Sequence, residues 1–345
     1  MSTLTVKAIE APVGFDLQLR DLNSIETTTI ETATLNLDGT AEGSPAEGDI
    51  WYDGGKFYLG TSQSFSGVWN SGGNLGNQKR DLAGAGTQSA GLCMGGDPGS
   101  SYTNSTEEYD GTSWSAGGDL ITARKYLAGA GTQSAGLCMG GYTGGNRGKT
   151  EEYDGTSWSA GGDLISARRT SAGAGTQSAG LCVGGYTSVI SNSTEEYDGT
   201  SWSAGGNLGT ARYDLAGAGT QSAGLCMGGT DGSTTNVTEE YDGTSWSAGG
   251  NLGTARRSMA GAGTQSAGLC MGGEDSSYSN VTEEYDGTSW SSGGNLATAR
   301  KGLAGCGTQS VGLCMGGFTG SGSNVTEEYT AAGSYEELFA PSTGL

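Results

Sequence analysis

One unit recurs along most of this chain, and a period of about 44 residues restricts the available architectures more than any other feature. A representative copy, Ala128 to Arg169, reads AGAGTQSAGLCMGGYTGGNRGKTEEYDGTSWSAGGDLISARR. The cysteine of its GLC(M/V)GG segment recurs at Cys93, Cys138, Cys182, Cys226, Cys270 and Cys314, at spacings of 45, 44, 44, 44 and 44. The TEEY tyrosine recurs at Tyr109, Tyr153, Tyr197, Tyr241, Tyr285 and Tyr329, and a tryptophan at Trp69, Trp114, Trp158, Trp202, Trp246 and Trp290. Helical repeats of this length need long apolar stretches with a 3.6-residue period. Here glycine interrupts every such stretch: it occupies 68 of 345 positions, against roughly 7% in an average protein. Only four prolines and no G-X-Y period exclude collagen.

Short strands separated by turn signals fit the unit better, and four of them make a propeller blade. The AGAG segment reads as the first strand, GLCMGG as the second and TEEY as the third, with the fourth starting at SWS. The Asp-Gly between Tyr153 and Trp158 is a strong hairpin signal, because both turn residues tolerate positive φ. The strand at Trp69 precedes any first strand, and the third strand at Tyr329 has no tryptophan strand after it. Joining those two closes a six-bladed ring over residues 69–329 and leaves no open edge. Seven blades are the alternative, because stretches 49–53 and 56–59 form a hairpin pattern of their own within a linker at 49–68. The expected fold is therefore an all-β propeller with an extended N-terminal arm.

Composition removes several functions. The chain has no histidine, which excludes histidine bases, Ser-His and Cys-His pairs and histidine metal sites. A formal charge of −21 opposes binding to nucleic acid or to an anionic membrane surface. No apolar run approaches the length of a bilayer span, and the N-terminus lacks a signal-peptide pattern.

The repeated residues read first as architecture. Leu137 and Met139 point one way from their strand and Cys138 the other. The cysteine is then a small core residue, as is Cys306 at the place of Ala130. Stacked sheets lie about 10 Å apart, too far for blade-related thiols to pair. The TEEY glutamates supply twelve carboxylates, represented by Glu107 and Glu108, Glu151 and Glu152, and Glu195 and Glu196. A carboxylate between blades requires a partner. The repeat offers Arg80, Arg124, Arg168, Arg212, Arg256 and Arg300, so a ring of Glu–Arg pairs is expected. Calcium on surplus carboxylates is the alternative. A glycosidase pair ranks below both, since a catalytic site is one special place and this motif recurs in every blade.

Differences between units concentrate between the second and third strands and in the two residues after the arginine. In an antiparallel blade both connections lie at one end, so they form one variable face, the usual binding surface of a repeat protein. Tyr102, Tyr126, Tyr142, Tyr186, Tyr213, Tyr278 and Phe318, with Arg147, are its candidate ligand-binding residues. Tyrosines there supply stiff contact area with a polar tip, suited to sugars or a protein surface. Drift in unconstrained loops is the bland alternative.

The doublet Gly140-Gly141, then Tyr153, Trp158 and Arg168, resembles the kelch family of β-propellers. That resemblance spans residues 69–329 and implies architecture more than activity. The copper oxidases of this fold use histidine, which is absent here. The opening MSTLTVKAI, the stretch GSPAEGDIWYDGGKFYLGT and the near-identical GTQSAGLCMGG…TEEYDGTSW units are similar to structural proteins of marine bacteriophages, especially tail-fibre-like ones. The resemblance implies a virion protein; the missing signal peptide suits synthesis in the host cytoplasm, and because no unique acid, base or metal constellation rises above the repeat, neither enzymatic activity nor a cofactor is expected. Residues 1–48, rich in Thr, Ile, Leu and Glu, carry too little apolar mass for a core of their own and read as an arm docking on other virion proteins. Strand edges in the arm would suit a homo-oligomer. The propeller is then expected to present its variable face to a host glycan or receptor. A capsid-decoration protein is the alternative, and a polysaccharide-acting enzyme a second one. Residues 330–345 read as a tail that covers the closing blade or contacts a partner.

Overall fold

The computed structural model describes residues 35–36, 50–53, 56–60, 67–99, 101–331 and 335–339. Two compact units are present, residues 66–332 and a second formed by 1–65 with 333–345. The first unit is a six-bladed β-propeller. Six four-stranded antiparallel sheets follow one another, and their innermost strands neighbour each other in a closed cycle. The second blade is typical, with strands Ala128–Thr132, Ala135–Met139, Thr150–Tyr153 and Trp158–Ala160. No α-helix occurs among the described residues.

The alanine–glycine strand lies innermost because blades converge there. A Cβ on Gly129 would come within 2.7 Å of the Gly84 carbonyl of the preceding blade, so only glycine fits. The intervening Ala128 and Ala130 are buried. Further out, each blade junction holds one core cluster. Leu137 and Met139 of the second blade pack against Cys182 and Tyr197 of the third, while Cys138 faces Leu92 and Met94 of the first. The period-two division of that strand is thus the division between two junctions. All seven cysteines are free and buried, and burial pushes the Cys138 thiol up to about 12.

The invariant polar residues tie each blade to its predecessor. The Tyr197 hydroxyl donates to Glu152, and the Trp202 indole N–H donates to Thr150 Oγ1 at 2.9 Å. Gln177 Nε2 donates to the carbonyls of Gly136 and Tyr153, at 3.1 and 2.7 Å. Each buried donor or acceptor left unmatched at a junction would cost about 1–3 kcal/mol, so these ties specify the junction as well as hold it.

Closure joins the ends of the unit. Val68–Ser71 pairs with Thr326–Thr330 as the outer strand of the sixth blade, with Trp69 opposite Tyr329. The seventh-blade alternative fails. The hairpin Ile50–Asp53 and Lys56–Gly60 forms, but it belongs to the other unit, in a sheet with Leu35–Asn36 and Tyr335–Phe339. The expected linker and tail therefore contribute strands to one shared sheet. Of the expected docking arm only Leu35–Asn36 is a described strand, and the rest lies outside the described residues.

Candidate functional site

The variable segments meet at one end of the blades. The residue after each buried basic side chain bridges to the residue after each Gly-Gly doublet: Arg80 to Asp97, Lys125 to Tyr142, Arg169 to Tyr186, Tyr213 to Thr230, Arg257 to Glu274 and Lys301 to Phe318. Glycine is required in the doublet. Gly140 and Gly141 have φ of 64° and 107°, which turn the chain from the strand into this bridge.

The side chains of these bridges stack from blade to blade. Lys125 bonds back to Asp97 at 2.8 Å, and Lys301 to Glu274 at 2.7 Å. The Arg80 guanidinium lies 4.6 Å from the Phe318 ring centre across the closure. Arg169 sits between two rings, 4.9 Å from the centre of Tyr142 and 4.8 Å from that of Tyr186. Tyr102 packs edge-on to Tyr142, and Tyr213 against Tyr186, both at 5.9 Å. Tyr278 meets Phe318 at 5.8 Å. The structure thus brings Tyr102, Tyr142, Tyr186 and Tyr213 into one ribbon over the first to fourth blades, and sets Tyr278 and Phe318 together elsewhere on the ring. All of these rings are half-buried, because each turns a face towards a neighbour. Arg147 is exposed, and its Nε donates to Thr143 Oγ1.

Tyr126 takes a different place. With Asp81, Thr170, Asp214, Ser258 and Gly302 it rings the axis, every one at a positive φ between 52° and 57°. Each N–H donates to the carbonyl of the preceding blade: Tyr126 to Asp81, Thr170 to Tyr126, Asp214 to Thr170, Ser258 to Asp214, Gly302 to Ser258 and Asp81 to Gly302, at 2.7 to 3.0 Å. This closed cycle offsets five strained non-glycine residues, each costing on the order of 1–2 kcal/mol. It surrounds a shallow cavity of about 80 Å³. Asp81 and Asp214 occupy the first and fourth of the six ring positions, opposite one another. Burial raises both carboxyls to about 6 despite the cations nearby.

Below the face lies a ring of buried ion pairs. Arg124, Arg212, Arg256 and Arg300 meet Glu151, Glu239, Glu283 and Glu327 at 2.8 to 2.9 Å, and Arg168 meets Glu195. The arginines also cap carbonyls, as Arg124 Nη1 does at Gly140 and Lys149. Two expectations need correction. Arg80 is not in this ring: Lys79 is, at 2.7 Å from Glu107. Lys79 stands four residues before Ala83 as Arg124 stands four before Ala128, so aligning on the first strand would have found it. The second glutamates, Glu108, Glu152 and Glu196, form no ion pair among the described residues. Their strand turns them to the other junction, where each accepts from the tyrosine hydroxyl of the next blade. Neither member of the TEEY pair is thus a surplus ligand. Among the described residues no group of three or more carboxylates and thiols is arranged to hold a metal.

The opposite end is regular. Asp110, Asp154, Asp198, Asp242 and Asp286 cap their own Asp-Gly turns. Asp154 Oδ1, for example, accepts from the N–H of Thr156 and of Ser157 at 2.9 and 2.8 Å, which holds its carboxyl below the usual range. The propeller chain enters at Gly67 and leaves at Ala331 on this same end, beside the outer two strands of the sixth blade. Every cation of the propeller outside the buried ring, namely Arg80, Lys125, Arg147, Lys149, Arg169, Arg257 and Lys301, belongs to the variable segments. A cavity of about 370 Å³ opens there, lined by Asp97, Gly99, Ser101, Tyr102 and Lys125. No protein-family model matches the chain, and no curated protein matches it significantly in sequence.

Proposed function

We propose that the protein is a non-enzymatic binding module, a kelch-like propeller carried as an appendage of a phage virion, whose variable face engages the host surface. One observation carries the orientation. Both propeller ends lie on the regular Asp-Gly face, while sequence differences, clustered aromatics and solvent-side cations lie on the other. A module tethered by one face and diversified on the opposite one is built to present the diversified face. The virion assignment rests on the sequence resemblance, with residues 1–48 as the attachment to other virion proteins. Tyr142→Ala with Tyr186→Ala should reduce adsorption of particles to host cells at least tenfold and leave particle stability unchanged. Unchanged adsorption would remove the face from the attachment role. Immunogold labelling at the tail supports attachment. Labelling over the head favours the decoration reading, and unlabelled particles overturn the virion assignment.

A further inference from the structure

Thirteen lysines and arginines lie in the propeller between Gly67 and Ala331. Among the described residues all but Arg147 and Arg169 have a carboxylate within ion-pair distance. In a chain of charge −21 that is unexpected, because carboxylates are abundant. Both exceptions lie at the junction of the second and third blades on the variable face. Arg169 is held in place by uncharged groups only. The two tyrosine rings flank it, and its Nη1 donates to Asn146 Oδ1 at 3.2 Å. Asn146 is fixed in turn by donating to the Tyr186 carbonyl at 3.0 Å. Arg147 is the next residue in the chain, and its N–H and carbonyl are tied to Gly141 and Arg168. A guanidinium has five N–H donors, so both groups keep most of their donors unused. Rings on either side lower the local dielectric, which strengthens an incoming charge-assisted bond.

We propose that this junction binds the anionic groups, carboxylate or sulfate, of an extended acidic polysaccharide, a local attraction by two guanidiniums without carboxylate partners that works against the net charge of −21 and so confines binding to this junction. This binding rests on the variable face being the binding face. Three features select a polysaccharide over a protein segment. The ribbon Tyr102–Tyr142–Arg169–Tyr186–Tyr213 runs across the variable face over four blades, a length suited to a linear polymer. Its four tyrosines carry hydroxyls, which match sugar hydroxyls. The cavity along it is open and lined by Asp97, Gly99, Ser101, Tyr102 and Lys125, a mix of hydrogen-bonding groups and one aromatic ring suited to a sugar. Arginine rather than lysine at both positions suits the planar two-oxygen edge of a carboxylate or sulfate.

The test measures binding of the full chain to alginate, dextran sulfate and neutral dextran by calorimetry at two salt concentrations. The expected result is binding of one or both anionic polymers, weakened by salt, and none of dextran. Alginate alone identifies carboxylate as the group, and dextran sulfate alone identifies sulfate. Arg147→Gln and Arg169→Gln should each weaken binding about tenfold. Arg257→Gln, whose parent side chain already pairs with Glu274 at 2.9 Å, should change it less than twofold. Arg169→Lys keeps the charge in the aromatic slot and guards against misfolding. It should recover little affinity, because an ammonium cannot reproduce the fork. Equal losses for Arg257→Gln and Arg147→Gln would overturn the site in favour of general charge attraction. Equal binding of dextran overturns the anion requirement. Competition by a glutamate–tyrosine copolymer as strong as by alginate or dextran sulfate overturns the polysaccharide in favour of a protein partner. If no polymer binds while cell adsorption still depends on Tyr142 and Tyr186, this inference fails and the attachment reading stands. Loss of both would end the attachment reading as well.

Discussion

Arg168 shows how a single residue is used in this protein. It is fully buried, it pairs with Glu195, and its Nη1 donates to the carbonyls of Gly184 and Ser193 at 3.0 Å each. Glu195 also accepts from the Ile165 N–H at 2.7 Å, so the pair clamps the connector onto the blade that it enters. Removing one partner of a buried pair leaves an uncompensated charge, at a cost of about 3–5 kcal/mol. Arg168→Met should therefore lower the urea midpoint strongly. Adding Glu195→Gln to it should recover a substantial part of the loss, which a double-mutant cycle in urea measures directly. Equal destabilisation by the single and double variants would mean that the carbonyl caps, not the ion pair, carry the effect. Composition made this partner readable, because a carboxylate in every buried strand demands a cation in every unit. The other glutamate was not readable. Glu151 and Glu152 are adjacent and identical, and only the pleat decides that one meets Arg124 and the other the Tyr197 hydroxyl.

At the scale of the strand and turn, the Thr-Gln-Ser turn does more than reverse the chain. Gln133, Gln177, Gln221, Gln265 and Gln309 each reach back to two carbonyls of the preceding blade, and Gln88 does so across the closure. A turn glutamine reads as an exposed polar residue in sequence, and only the neighbouring blade supplies its acceptors. Gln177→Ala should cost about 1–3 kcal/mol by stranding those carbonyls. Amide exchange should accelerate at the junction of the second and third blades and stay unchanged at the opposite side of the ring. Uniform acceleration would show that the blades open together. The strands themselves were legible, since alternation and Asp-Gly turns set both their number and their order. The half-buried state of Tyr142 and Tyr186 was not, because it depends on Arg169 arriving from a connector between them.

For the whole molecule, the axial ring links stability to pH. Asp81 and Asp214 have folded values of about 6 against an ordinary 3.8, caused first by burial. The folded state therefore holds protons that the unfolded state has released between those values. This contribution to stability is complete below about pH 4 and is lost as pH rises through about 6, on the order of 3 kcal/mol per aspartate. Arg80, Lys125, Arg257 and Lys301 oppose the rise, while Asp214 and Asp97 add to it at Asp81 and Glu274 at Asp214. Asp81→Asn with Asp214→Asn should flatten the fall in melting temperature between pH 4.5 and 7.5 and leave the variant more stable than the parent at pH 7.5. A parent whose stability is flat over that interval would show that the two carboxyls are solvated. Repeat period, glycine placement and turn chemistry were sufficient by themselves to determine a propeller of four-stranded blades closed by the strand at Trp69, and to favour six blades over seven, because each is a local constraint that recurs. The tertiary structure alone decided that the hairpin at 50–60 stays out of the ring, which glutamate of each pair meets a cation, and that, among the described residues, Arg147 and Arg169 lack a carboxylate partner. Those outcomes depend on side chains from adjacent blades, about 44 residues apart in sequence, and no local pattern encodes which of them meet.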